Sequence, residues 1–84
     1  MQLVEIGESV KVRSDIGGGR IVPLLIRRGE ATYRIKQVNS SWEDREGSGK
    51  TYYFSVTTDS GDILKLSLKS EDMIWRIESV ILEG

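Results

Sequence analysis

The 84-residue sequence is long enough for one small domain, and 38% of its residues are hydrophobic, which is typical of a chain that packs a core. It contains no cysteine and no histidine, which excludes disulfides, thiolate metal sites and catalysis by an imidazole. Twelve basic and thirteen acidic residues give a net charge of -1. We expect one β-domain over residues 1–84, with no cofactor and no metal centre.

The sequence also bears on localisation. The amino terminus lacks the basic segment and the apolar run of a signal peptide, and no stretch approaches the roughly 20 apolar residues of a membrane span. The absence of cysteine fits a reducing compartment. These features predict a soluble, cytoplasmic protein without a membrane partner.

Alternation of apolar and polar side chains, which is typical of a half-buried β-strand, recurs five or six times along the chain. The first run covers residues 9–13, and residues 15–19, with three consecutive glycines, predict the flexible turn that follows. The second run covers residues 21–28. It contains Pro23, which predicts an edge or a strand start because proline cannot donate a ladder hydrogen bond.

The third run follows a predicted hairpin turn at Gly29 and loses its phase near Gln37, which predicts a β-bulge. Residues 39–50 are polar and predict the longest loop of the chain. Trp42 is the one large apolar side chain of this predicted loop.

Two strictly alternating runs, residues 51–58 and 64–68, flank turn-forming residues at 59–62 and predict a hairpin. A last strand is predicted after a turn at residues 69–72. Its inward-pointing side chains are predicted to be Met73, Trp75 and Ile77.

No stretch predicts a helix of three turns, so the expected fold class is all-β. Strands that follow one another through short loops usually pair as neighbours. The runs therefore predict an antiparallel meander of five to six strands that curls into a small, partly open barrel.

The sequence offers no catalytic residues. Gly49-Lys50-Thr51 reads like the end of a phosphate-binding loop, but Asp44 stands where that motif needs glycine, and a β-type run follows instead of a helix. The acidic residues of the turns lack the ligand spacing of a calcium loop. We therefore expect that the chain is not an enzyme; an enzyme would need a concave pocket with convergent polar groups.

Charge is distributed unevenly. Residues 1–42 hold seven basic and four acidic residues, whereas residues 43–84 hold five and nine. Most acids lie in predicted turns, while many cations take outward positions on predicted strands. Together with two aromatic residues they form the predicted partner-binding set: Lys11, Arg13, Arg34, Lys36, Trp42, Tyr53, Lys65 and Arg76.

Several short segments resemble those of a known family: Arg27-Arg28-Gly29, Tyr33-Arg34-Ile35, residues 52–61 and Trp75-Arg76-Ile77. Across residues 8–82 the sequence is similar to a family of small uncharacterised bacterial all-β proteins, catalogued as domains of unknown function. The resemblance implies a compact bacterial β-domain and implies no substrate. Arg27 departs from it, since an aromatic residue often precedes the Arg-Gly pair there.

Two binding functions are compatible with these patterns. The first is a non-enzymatic bacterial module that binds another protein through a sheet face or an exposed strand edge. The alternative is a nucleic-acid-binding accessory domain that uses the basic sheet face. The same cations would also be expected on a sheet face that is merely solvated and protected from aggregation.

Overall fold

The computed structural model describes residues 2–82, without the side chain of Glu46, and consists of six β-strands joined by turns. The ends of the predicted domain, residue 1 and residues 83–84, lie outside the described residues. Within residues 2–82 no helix is long and apolar enough to cross a membrane. The strands are β1 (Gln2–Gly17), β2 (Arg20–Arg28), β3 (Ala31–Glu46), β4 (Gly49–Thr58), β5 (Ile63–Lys69) and β6 (Trp75–Leu82).

Each strand pairs antiparallel with its neighbour in sequence, and β1 also pairs with β6, so that the sheet forms a closed ring. The predicted all-β antiparallel meander is therefore confirmed. The turn at residues 59–62 joins β4 to β5 as the predicted hairpin. Short turns leave each strand no partner nearer than the next strand, which explains why the order in the sheet follows the order in the chain.

Strand β1 closes the ring by changing partners along its length. Its first part, from Gln2 to Val10, pairs with β6, and its second part, from Lys11 to Gly17, pairs with β2. The pairing with β6 shifts register at a bulge that contains Gly7, whose φ is +65°. A bulge bends and twists a strand, and glycine adopts positive φ without a steric penalty. The bulge therefore helps β1 to turn from one neighbour to the other.

The barrel interior holds the apolar members of the alternating runs. The centroids of the Phe54 and Trp75 rings lie 5.4 Å apart in this interior. Each large apolar side chain buried there contributes roughly 1.5–3 kcal/mol relative to exposure. The buried apolar residues are Ile26, Phe54, Val56, Leu64, Leu66, Leu68, Trp75, Ile77 and Val80.

The inward orientation predicted for the last strand is confirmed for Trp75 and Ile77 and wrong for Met73. Met73 is 62% exposed and precedes β6, because the turn continues to this residue and its amide donates a hydrogen bond to the carbonyl of Lys69 at 2.8 Å. Its φ of +57° places it outside extended geometry. Alternation counted backwards from a strand does not show where the strand begins.

The ring is closed at one end and split at the other. Strands β2 and β3 pair only from Leu25 to Arg28 and from Ala31 to Arg34. Three residues near this point are extra in their strands: Leu24 in β2, and Lys36 and Asn39 in β3. Because bulges increase the local twist, they explain why the two strands diverge. The split agrees with a partly open barrel, and Lys36 is the bulge that was predicted near Gln37.

The predicted loop over residues 39–50 is wrong. Strand β3 continues to Glu46, and a turn at residues 47–48 leads directly into β4. Trp42 pairs with Tyr53, and Glu43 pairs with Tyr52, in regular antiparallel register. The segment is polar because much of it is exposed, and not because its backbone is irregular.

Candidate binding cleft

The split between β2 and β3 is a cleft of about 770 Å³. This volume falls within the range of roughly 300–1,000 Å³ that is usual for ligand sites. The end of the β1–β2 hairpin forms one wall, and β3 with the adjoining part of β4 forms the other. The apolar residues that line it include Ile16, Ile21, Val22, Val38, Trp42 and Phe54.

One wall of the cleft is an open strand edge. From Val38 to Glu43, β3 pairs with β4 on one side, and no described strand pairs with its other side. Six extended residues span about 20 Å. Backbone N–H and C=O groups on such an edge are available to pair with another extended chain.

The opposite wall is apolar and exposed. Ile16, near the end of β1, is 71% exposed, and Val22 on β2 is 37% exposed. Ile16 pairs with Ile21, so both side chains lie on the same face of the hairpin. Residues 20–24 of β2 also lack a second described strand neighbour, but this edge contains Pro23, which cannot donate a hydrogen bond.

The β3 edge is held in place by contacts with β4 and β5. The side-chain Nδ2 of Asn39 donates to the Thr57 hydroxyl at 2.9 Å, and this hydroxyl donates to the side-chain Oδ1 of Asn39 at 3.2 Å. The rings of Trp42 and Tyr53 stack with centroids 5.5 Å apart, and the Lys65 ammonium lies 5.8 Å from the centroid of the Trp42 ring. These contacts preorganise the edge, which lowers the entropy cost of binding there.

The structure separates the predicted partner-binding residues into two surfaces. Lys11, Arg13, Arg34 and Lys36 lie exposed on β1 and the start of β3. Together with Arg27, which is exposed on β2 and was not in the predicted set, we call them the basic wall. Trp42, Tyr53, Lys65 and Arg76 belong to adjacent outward rows on the end of β3 and on β4, β5 and β6, and we call them the aromatic wall. Because β2 and β5 are three places apart in a ring of six, the two walls face opposite directions.

The two walls differ in how their charges are compensated. On the aromatic wall, the Arg76 guanidinium donates a hydrogen bond to Asp72 at 3.0 Å. This bond, together with one from the Ile74 amide, lowers the pKa of the Asp72 carboxyl. On the basic wall, Arg34 has a carboxylate of Asp59 at 3.9 Å. The remaining cations of that wall have no ion-pair partner among the described side chains.

Sequence reasoning missed the apolar wall of the cleft. Ile16 stands between Asp15 and a glycine run, and it reads as part of a turn. The structure places it on β1, paired across the hairpin with Ile21. The available signal was a large apolar residue between a charged residue and glycines. The strand that lies across the cleft from Ile16 is determined by the divergence of β2 from β3.

Among the described residues, no group of three or more acidic, histidine or cysteine side chains could hold a metal ion. A second, smaller cavity of about 90 Å³ lies at the closed end of the ring, beside Tyr33 and Thr58. The cleft therefore offers more room for a partner than this cavity does.

The resemblance to small uncharacterised bacterial proteins stays a prediction. No family model, no curated protein and no solved structure matches this chain.

Proposed function

We propose that this chain is a non-enzymatic binding module that accepts an extended segment of another protein in the cleft between β2 and β3. The observation that supports this proposal is the unpaired edge of β3, from Val38 to Glu43, which faces an exposed apolar wall across the cleft. An added strand would gain main-chain hydrogen bonds from the edge and apolar burial from the wall.

The positions of the lining residues specify the chemistry of the bound segment. A strand paired with β3 directs successive side chains to opposite faces of the sheet. Those on one face meet Ile16 and Ile21, and those on the other meet Val22 and Trp42. The expected partner segment therefore has apolar side chains on both faces over about six residues.

The cleft also limits how many strands can be added. An unprotected edge invites repeated pairing and aggregation, which proteins avoid by covering their edges. Here the β1–β2 hairpin stands across the cleft from the β3 edge, and Pro23 weakens the edge on its own side. One strand can therefore be accommodated without the sheet continuing into a neighbouring molecule.

A peptide-display screen tests the proposal. Random peptides of about eight residues are selected against the full chain, and the affinity of each selected peptide is measured by fluorescence anisotropy. Amide signals of residues 38–43 should shift when the peptide binds, and the alternate N–H groups that point into the cleft should become protected from hydrogen exchange. Methylation of successive peptide nitrogens should weaken binding at every second position, because alternate N–H groups of a paired strand point toward the edge.

A matched pair of variants locates the site on the protein. Ile16→Asp should weaken peptide binding by about tenfold or more, because it places a charge on the apolar wall. Leu3→Asp is the control: Leu3 is also an exposed apolar residue of β1, at 60% exposure, and lies outside the cleft. Both variants should keep the far-UV circular dichroism of the parent chain.

Three outcomes would contradict the proposal. The screen could yield no peptide that binds above background. The selected peptides could shift amides elsewhere in the sheet, or tolerate methylation at every nitrogen. Finally, the two variants could lose affinity equally, which would mean that the cleft does not hold the peptide.

A further inference from the structure

The basic wall has an arrangement of charge that costs stability. Lys11 and Arg27 are directly opposite each other on β1 and β2, and both are exposed. Directly paired residues on one face of a sheet have Cβ atoms about 4.5–5.5 Å apart, and like charges there repel. A sheet that needed only solubility would place an opposite charge at one of the two positions.

The neighbouring row extends the same charge. Arg13 pairs with Leu25, and Leu25 pairs in turn with Arg34, so the two guanidinium groups flank one half-buried leucine. The two rows are two residues apart along each strand, which is about 7 Å. Three strands span about 10 Å, so the cations form a two-dimensional cluster and not a line.

Little negative charge compensates this cluster. Asp59 approaches Arg34 at 3.9 Å, and both side chains are more than half exposed. Exposed pairs of this kind contribute little. Asp15 lies two residues beyond Arg13 on the same strand, beside the end of the hairpin. The wall is therefore locally positive on a chain whose net charge is -1.

We propose that the basic wall binds the phosphate backbone of a nucleic acid duplex. A cluster about 10 Å wide can contact phosphates on both strands across a minor groove, which is roughly 6 Å wide. An extended acidic peptide presents its carboxylates along a single line and matches only one row at a time. Arginine, which supplies three of the five cations, donates paired hydrogen bonds to phosphate.

The mode of recognition follows from the side chains of the wall. No tryptophan, tyrosine or phenylalanine of the described chain belongs to it, so it offers no platform for stacking on unpaired bases. Contacts with phosphates carry no sequence information. Binding is therefore independent of base sequence and stronger for duplex than for single-stranded DNA. It uses a surface separate from the cleft and does not depend on the peptide proposal.

Fluorescence anisotropy of a labelled DNA duplex of about 20 base pairs, titrated with the full chain at several salt concentrations, tests this inference. A plot of the logarithm of the binding constant against the logarithm of the salt concentration should have a slope of about -4, because four to five phosphates are contacted. Arg27→Glu should weaken binding about tenfold and reduce the size of the slope by about one. The Tm of this variant should be no lower than that of the parent chain, because the substitution places a negative charge opposite Lys11.

Lys65→Glu is the matched control, since it makes the same change of charge on the aromatic wall. It should leave the affinity within about twofold of the parent chain. If Arg27→Glu does not fold, the double variant Lys11→Ser and Arg13→Ser replaces it and should also weaken binding.

The inference is overturned by any of three results. The first is the absence of duplex binding at low salt. The second is an equal loss of affinity in the basic-wall and Lys65 variants, because the effect would then follow net charge alone. The third is displacement of the duplex by poly-glutamate at a lower charge concentration than by unlabelled DNA, which would identify an acidic protein as the preferred partner.

Discussion

Replacing Gly7 with alanine tests how β1 passes from β6 to β2. Gly7 lies in the β1 bulge with a φ of +65°, and no other residue would crowd an added Cβ atom within 4 Å. The substitution therefore probes backbone conformation without a change in packing. Gly17→Ala is the matched control, because Gly17 is also on β1, has open space around it and lacks positive φ.

The expected loss can be worked from these features. Left-handed backbone costs an L-residue about 1–2 kcal/mol relative to glycine. Alanine also restricts the unfolded chain, which returns about 0.4–1 kcal/mol. Gly7→Ala should therefore lower the free energy of unfolding by about 1 kcal/mol, which corresponds to about 4–8 °C in Tm for a domain of this size. Gly17→Ala should be neutral or slightly stabilising.

Thermal and urea unfolding, followed by circular dichroism, measure both variants. Gly7→Asn adds a useful intermediate, because asparagine tolerates left-handed backbone better than alanine does. The expected order of stability is the parent chain, then Gly7→Asn, then Gly7→Ala. Equal Tm values for the Gly7 and Gly17 alanine variants would refute the reasoning, because the bulge would then not require positive φ.

Two further predictions concern polar contacts. The buried Ser67 hydroxyl donates to a Glu78 carboxylate oxygen at 2.6 Å, so Ser67→Ala should lower the free energy of unfolding by about 1–2 kcal/mol, against less than 0.5 kcal/mol for Ser55→Ala. Similar losses in urea unfolding would contradict this. Because Arg76 lowers the pKa of Asp72, this carboxylate stabilises the fold above the ordinary aspartate pKa and loses that effect as pH falls through the lowered value. Arg76→Gln should raise the pKa of Asp72 in a carbon-detected NMR titration, and an unchanged pKa would exclude Arg76 as its cause.

The strands were predicted best where the two faces of the sheet differ from each other in polarity. The β4–β5 hairpin alternates without a break, since Phe54 and Val56 face the core while Ser55 and Thr57 face outward. Its predicted turn is also present. Successive side chains of an extended backbone always point to opposite faces, so a run that alternates in polarity indicates a strand without any information about its partners.

The prediction failed where a strand leaves the core. Residues 40–46 form regular β-structure although most of their side chains are polar, because β4 supplies a full partner strand. Strand pairing provides hydrogen-bond partners for the backbone N–H and C=O groups, whether or not the side chains are buried. The polarity of these side chains correctly indicated that they are exposed. Exposure alone does not distinguish an extended hairpin from a loop.

The outward orientation of the cations followed from sequence alternation, because neighbouring side chains on a strand point to opposite faces. Which cations share a wall depended on tertiary structure: Arg27 and Lys65 are both exposed, yet they lie on strands at opposite sides of the ring. The cleft likewise arises from the divergence of β2 and β3 beyond Leu25. Strand order, register and divergence are set by pairing between distant segments, and a local pattern of side chains does not encode them.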